Sequence, residues 1–154
     1  MKKNVMKVFA VAMAVAFLTA CSASLDGMLK DYEAACKKGD AEMLILPGGQ
    51  TKLGECSALC ELLVEHNNAG KLIAAICAAP MVLGKLGILK GKQATCYPGF
   101  QDALGESYVG GLVVESKNII TAKGPGLSAD FAFCIIERLA SSEVADAVYD
   151  AAQY

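Results

Sequence analysis

The sequence contains little histidine and no excess of positive charge. Its 154 residues include a single histidine, His66, and its formal net charge is −2. No basic cluster occurs after the first seven residues, whereas a nucleic-acid-binding domain presents a positive stripe. We therefore predict no nucleic-acid partner. Nothing in the sequence points to a cofactor, and none is expected.

Charged residues are also scarce, at 19%, whereas 55% of the residues are hydrophobic. A chain of this composition forms a core and is not disordered. Its length suits one domain and leaves little room for two. Fifteen glycines and alternating apolar runs favour an α/β chain over a helical bundle.

The seven cysteines lack the spacing of a disulfide framework or of a metal site with two close ligand pairs. Cys56 and Cys60 lie four residues apart on one face of a predicted helix and could in principle bind a metal. They could equally be small apolar fillers or exposed thiols. Because only one histidine is available, we predict no metal site.

The apolar run near the N-terminus is short for a transmembrane helix. Residues 8–18 are apolar and follow three lysines, but a membrane-spanning helix needs about 20 residues. This layout is typical of a secretory signal, and Leu18-Thr19-Ala20-Cys21 resembles a bacterial lipobox in which Cys21 would be lipidated. The predicted division is a signal at 1–21, a helical linker at 22–40 and a domain at 41–154.

Two localisations follow from this N-terminal segment. If the signal is cleaved, the protein is a lipoprotein anchored to the bacterial cell membrane through Cys21. If residues 8–18 are instead an ordinary buried strand or helix, the protein is cytoplasmic. The cysteine content favours the second alternative, because an exported chain would normally pair its cysteines. Both alternatives remain open at the level of the sequence.

Short apolar strands alternate with helices from residue 42 onward. Residues 43–46 and 72–76 are wholly apolar, as are strands buried on both faces of a parallel sheet. The alternation predicts a mostly parallel sheet with helices on its faces. Further strands are predicted at 94–96, 112–115 and 118–121, and helices at 25–38, 56–68, 78–86, 127–139 and 142–152.

Cys77 is the candidate catalytic residue, because it lies where a predicted strand runs directly into a predicted helix. Such an elbow is strained and needs small neighbours, here Ala75, Ala78 and Ala79. A thiol near a helix N-terminus is stabilised as the thiolate, and the free N–H groups there can stabilise an oxyanion. A small buried core residue is the alternative.

Four motifs in order resemble the PfpI and Parkinson-disease protein 7 family of the class I glutamine amidotransferase-like superfamily. The resemblance covers residues 41–154 and implies a flavodoxin-like three-layer α/β sandwich and a homodimer. It identifies Cys77 as the nucleophile, with Gly49 and Ala78 supplying backbone N–H groups. The motifs are Leu46-Pro47-Gly48-Gly49, Ala74-Ala75-Ile76-Cys77-Ala78-Ala79-Pro80, Cys96-Tyr97-Pro98-Gly99-Phe100 and Thr121-Ala122-Lys123-Gly124-Pro125-Gly126.

The chain also departs from the family pattern. The family's N-terminal third is expected to be missing, and with it a glutamate that hydrogen-bonds the nucleophile. Glu33 and Glu42 are the nearest candidates, but neither lies in the family's motif. Tyr97 stands where some members carry a histidine, and His66 is predicted to be a solvated residue on the polar side of a helix.

Three functions are compatible with this pattern. The resemblance implies chemistry on small reactive carbonyls or protein adducts, of the glyoxalase or deglycase kind, or a role in stress and protein quality control. The first alternative is a non-catalytic, membrane-anchored domain with a binding role. An amidotransferase is a weaker alternative, because that reaction requires a histidine at the site.

Overall fold

The computed structural model describes residues 43–49 and 52–153. The predicted signal, Cys21, the predicted linker helix, Glu33 and Glu42 lie outside these residues. Within the described ranges, no helix has the length and apolarity needed to cross a membrane. The division into segments 1–21, 22–40 and 41–154 remains a prediction.

Four strands form one mixed sheet. They are β1 (Met43–Leu46), β2 (Leu72–Ile76), β3 (Val113–Ser116) and β4 (Ile119–Ala122). The strand order is β1-β2-β4-β3. Strands β1, β2 and β4 run parallel, whereas β3 pairs antiparallel with β4. The prediction of a mostly parallel sheet is therefore confirmed.

Four α-helices accompany the sheet. They are α1 (Ser57–Asn68), α2 (Pro80–Lys85), α3 (Ser128–Leu139) and α4 (Ser142–Ala151). Cys56 provides the N-cap position of α1, and the Ser141 hydroxyl caps α4 by accepting from the Val144 N–H. Four short 3₁₀ helices complete the described elements, at Leu53–Glu55, Gln101–Ala103, Gly105–Ser107 and Pro125–Leu127.

The two faces of the sheet are both buried, which makes the fold three layers deep. Successive side chains of a strand point to opposite faces, so Leu44, Ile73 and Ile119 pack on the side of α1 and α2. Ile45 and Ile120 pack on the opposite side, against α3. All residues of β1 and β4 are buried. Double-sided burial accounts for the uninterrupted apolar runs in the sequence.

The prediction of a strand at 94–96 is wrong. Ala94 makes only an isolated bridge with Tyr108, and the N–H of Thr95 donates to the Thr121 side-chain oxygen at 2.9 Å. Thr95 in turn donates its hydroxyl to the Gly111 carbonyl. The segment is thus held by side-chain hydroxyls and by separate backbone hydrogen bonds rather than by a continuous strand ladder, a distinction that its β-forming composition does not reveal.

The prediction that His66 is solvated is also wrong, since only 4% of its surface is exposed. His66 follows Leu59 and Leu63 at intervals of four and three residues, so all three side chains lie on the buried face of α1. The helical periodicity was present in the sequence, and His66 continues the apolar stripe rather than the polar face.

Candidate functional site

Cys77 follows the last residue of β2 and adopts a left-handed backbone conformation, with φ of +65°. Few residues other than glycine adopt this region, and they do so at a cost in strain. Two hydrogen bonds hold the residue there. Its N–H donates to the Ala122 carbonyl at 2.9 Å, and its carbonyl accepts from the Tyr97 N–H at 2.8 Å. The sheet and the 94–98 segment therefore fix Cys77 from two directions.

Gly48 lies directly against Cys77. Leu46 of β1 is opposite Ala75 of β2, so continuing this parallel register places position 48 beside position 77. A Cβ atom added to Gly48 would lie 2.8 Å from the Cys77 Cβ and 3.6 Å from its Sγ. Only glycine fits this approach without displacing a neighbour. The sequence pattern pointed to Gly49 in this turn, whereas the contact made by Gly48 follows only from the strand register.

The two residues predicted to supply backbone N–H groups, Gly49 and Ala78, lie in the turns on either side of this contact. Gly49 has a φ of +76° and open space where a side chain would stand. Ala78 is buried and directly follows Cys77. Among the described residues, neither N–H takes part in a backbone hydrogen bond. The use of both N–H groups toward a substrate remains a prediction.

The strand does not run directly into the helix as predicted. A turn at 77–79 separates β2 from α2, which begins only at Pro80. Proline lacks an N–H and is favoured in the first turn of a helix, which explains the later start. The predicted helix at 78–86 is thus shortened to six residues.

A third segment, containing Cys96 and Tyr97, completes the surroundings of Cys77. Cys96 is fully buried, whereas 46% of Tyr97 is exposed. A Cβ atom at Gly124 would lie 3.3 Å from the Tyr97 ring, so the ring rests on the backbone of the 121–126 motif. The structure thus brings all four sequence motifs together at the carboxyl end of the parallel strands.

The thiols differ in their environments. Burial raises the pKa of Cys96, and the nearby Cys77 thiol raises it further. Burial is also the main cause that raises the pKa of Cys60 and of Cys134. In the part of the chain that the structure describes, no three metal-ligating side chains come together, and the Cys60 thiol instead contacts the Gly54 carbonyl at 3.6 Å.

His66 and a surface cavity lie at the other end of the sheet. The His66 carbonyl accepts from the Lys71 N–H, just before β2 begins, and at 3.3 Å per residue the five residues of β2 place Cys77 roughly 15–20 Å away. A cavity of about 400 Å³ is lined by residues including Lys90, Lys92 and Glu106. It also includes Ser116, which pairs with the first residue of β4.

This arrangement can be compared with known proteins. A sequence profile of the DJ-1/PfpI family matches residues 6–138. The chain belongs to the DJ-1/PfpI family. The matched range begins within the predicted signal and includes all the motifs described above.

Curated relatives and a solved structure agree with this assignment. Protein DJ-1alpha of Drosophila melanogaster is 43% identical over 122 residues, which cover 75% of this chain and 56% of the relative. The glutathione-independent glyoxalase DJR-1.2 of Caenorhabditis elegans is 39% identical over 123 residues, covering 77% and 63%. The chain therefore spans about three fifths of these relatives.

The fold is shared with a solved member of the family. The oxidized DJ-1 of Toxoplasma gondii superposes with a TM-score of 0.73 at 34% identity, covering 80% of this chain and 69% of that one. The flavodoxin-like α/β sandwich expected from the motifs is thereby confirmed.

Proposed function

We propose that the protein is a DJ-1/PfpI protein in which Cys77 acts as a nucleophile toward small reactive carbonyl compounds, in a glutathione-independent reaction of the glyoxalase kind. The observation that carries the proposal is the left-handed backbone of Cys77, fixed by hydrogen bonds to Ala122 and Tyr97. Strained residues of this kind are found where a nucleophile is presented at a strand-to-helix turn. A family relative named as a glyoxalase supports the same chemistry.

The proposed reaction begins at the Cys77 thiol. The Cys77 thiolate would add to the aldehyde carbon of methylglyoxal and give a hemithioacetal. Transfer of the hydrogen from that carbon to the adjacent ketone carbon, through an enediol, would give a thioester. Water would then release lactate and regenerate the thiol. The sum is one methylglyoxal and one water giving one lactate.

The N–H groups of Gly49 and Ala78 are the proposed donors to the oxygen that becomes negatively charged. Such donors accelerate a reaction when they point at developing charge. In the described structure neither donates to a backbone carbonyl. Glu33 and Glu42, the candidates for an acid or base, lie outside the described residues.

The decisive measurement is lactate formation from methylglyoxal without glutathione. We expect slow turnover that is abolished in Cys77→Ser and retained in Cys134→Ala, because Cys134 packs on the opposite face of the sheet. Slow turnover is expected because, among the described residues, the Cys77 thiol has no hydrogen-bonded carboxylate or imidazole. Turnover that survives Cys77→Ser, or lactate no faster than in the absence of protein, would contradict the proposal.

We further propose that the protein acts as a homodimer, as the resemblance implies. The exposed Tyr97, Val109 and Leu112 are large apolar side chains on the described surface. Sedimentation velocity would report the oligomeric state directly. A monomer at all accessible concentrations would contradict this part of the proposal.

A further inference from the structure

Cys77 and Cys96 lie on segments that are hydrogen-bonded to each other. The N–H of Tyr97, the residue after Cys96, donates to the Cys77 carbonyl at 2.8 Å. The donor N–H belongs to the peptide group that follows the Cys96 Cα, and the acceptor to the peptide group that follows the Cys77 Cα. The hydrogen bond therefore makes the two cysteines near neighbours, and disulfide-bonded cysteines have Cα atoms about 4.4–6.8 Å apart.

Cys96 also packs against close sequence neighbours of Cys77. Cys96 packs in the cluster that contains Ala75 and Ala79, which lie two residues before and two residues after Cys77. In addition, the Cys77 thiol contributes to the raised pKa of Cys96, as expected for two thiols in close proximity. The Cys96 side chain therefore lies near the Cys77 thiol.

The remaining described cysteines are less well placed. Cys134 packs with the cluster on the other face of the sheet. The Cys60 thiol contacts the Gly54 carbonyl. The cysteine that influences the pKa of Cys60 is Cys56, the N-cap residue of the same helix. Among the described thiols, Cys96 is thus the candidate partner of Cys77.

The two thiols differ in access. Cys77 is half-buried, whereas Cys96 has no exposed surface. A dissolved oxidant therefore reaches Cys77 first. Buried thiols react slowly with solutes, but they can attack a sulfur atom that is already beside them.

We propose that Cys96 is a resolving thiol, which traps oxidised Cys77 as an intramolecular disulfide. Hydrogen peroxide is the oxidant. The Cys77 sulfur attacks one peroxide oxygen, the O–O bond breaks, and hydroxide leaves, so that Cys77 becomes a sulfenic acid. The Cys96 thiolate then attacks the Cys77 sulfur, the S–O bond breaks and hydroxide leaves, taking up the Cys96 proton as water. Two thiols and one peroxide give one disulfide and two waters.

The disulfide would protect Cys77 from irreversible oxidation. Without a resolving thiol, a second peroxide converts a sulfenic acid to a sulfinic acid, which ordinary thiols do not reduce. A dithiol reductant would instead reopen the disulfide and restore both cysteines. This inference concerns oxidation and does not require turnover of a carbonyl substrate.

The test is peptide mapping of the full chain after treatment with hydrogen peroxide, without reduction. We expect a crosslinked peptide joining Cys77 and Cys96 that disappears with dithiothreitol. In Cys96→Ala we expect severalfold more sulfinic acid at Cys77. The matched control, Cys134→Ala, should behave as the wild type.

Two outcomes would overturn the proposal. One is sulfinic acid at Cys77 forming equally fast in the wild type and in Cys96→Ala. The other is a wild-type map in which Cys77 is crosslinked to a cysteine other than Cys96, or to none. Should Cys96→Ala fail to fold, as judged by circular dichroism, the wild-type map still decides, because the crosslinked peptide is either present or absent. Since the map does not measure lactate, it stands whether or not the chain turns over methylglyoxal.

Discussion

Replacing Gly48 with alanine tests the contact that builds the site. The added Cβ would lie 2.8 Å from the Cys77 Cβ, whereas two carbon atoms prefer about 3.5–4.0 Å. The neighbouring atom is a Cβ fixed to a backbone with two hydrogen bonds, and it cannot swing away as the end of a long side chain would. Overpacking of this kind costs about 1–3 kcal/mol. With a urea dependence of about 1–3 kcal/mol per molar, the unfolding midpoint should fall by about 1 M.

The reactivity of the thiol should fall as well. The new methyl group would stand 3.6 Å from the Cys77 Sγ and occupy part of its approach. Labelling of Cys77 with iodoacetamide should therefore be severalfold slower in Gly48→Ala than in the wild type. The assay is labelling at neutral pH, followed by mass spectrometry of the Cys77 peptide.

Gly49→Ala is the matched control, because it separates loss of stability from loss of reactivity. Gly49 also has a conformation that disfavours alanine, with φ of +76°, but open space surrounds the added methyl group. The left-handed region costs a non-glycine residue about 1–2 kcal/mol, so the stability loss should be similar while Cys77 labelling stays close to that of the wild type. If Gly48→Ala unfolds and labels as the wild type does, the contact between the two turns is not as described.

Three further predictions concern the thiols and the 94–98 segment. With limiting iodoacetamide at neutral pH, Cys77 should be labelled before Cys96 and Cys134, because burial raises the pKa of both of those thiols; preferential labelling of Cys134 would contradict this. The raised pKa of Cys96 means that the folded chain holds this proton more tightly, so the free energy of unfolding should fall as the pH rises above the ordinary thiol value of 9.0. Urea titrations at several pH values should show that the free energy of unfolding declines less steeply with pH in Cys96→Ala than in the wild type. An equal dependence on pH would refute the attribution to Cys96. Thr121→Val should lower the free energy of unfolding by about 1–3 kcal/mol, because it leaves the buried Thr95 N–H without its acceptor; Thr121→Ser, which keeps the hydroxyl, should lose much less.

The parallel sheet could be predicted because its buried strands are uninterrupted apolar runs in the sequence. Residues 43–46 and 72–76 are wholly apolar and match β1 and β2 residue for residue. Strands β3 and β4 each begin and end one residue later than the predicted ranges, 112–115 and 118–121. Lys117 adopts a positive φ in its turn, so the turn centres on residues 117 and 118, one position later than expected.

The site was predictable only in part, because much of it depends on contacts between distant segments. Cys77 could be proposed as the candidate nucleophile from its local sequence, since a small-residue run after an apolar strand is a local signal. The closeness of Gly48 depends on the register between two strands, and that of Cys96 on a hydrogen bond from Tyr97. Neither contact can be predicted from the residues on either side of it in the sequence. His66 was misplaced for a different reason, because its polarity outweighed its position on the apolar stripe of α1.

Hydrogen bonds from main-chain N–H groups hold the 94–98 segment beside Cys77. Main-chain groups of Ala94, Thr95 and Tyr97 make the bonds to the rest of the fold, and any residue except proline supplies the same N–H. The side chain at position 97 takes no part in these bonds, and 46% of it is exposed. A new acid, base or bulky group could be introduced at Tyr97 without altering the sheet beneath it. Substitutions at position 97 could therefore change the chemical groups beside Cys77 while the position of the thiol stays the same.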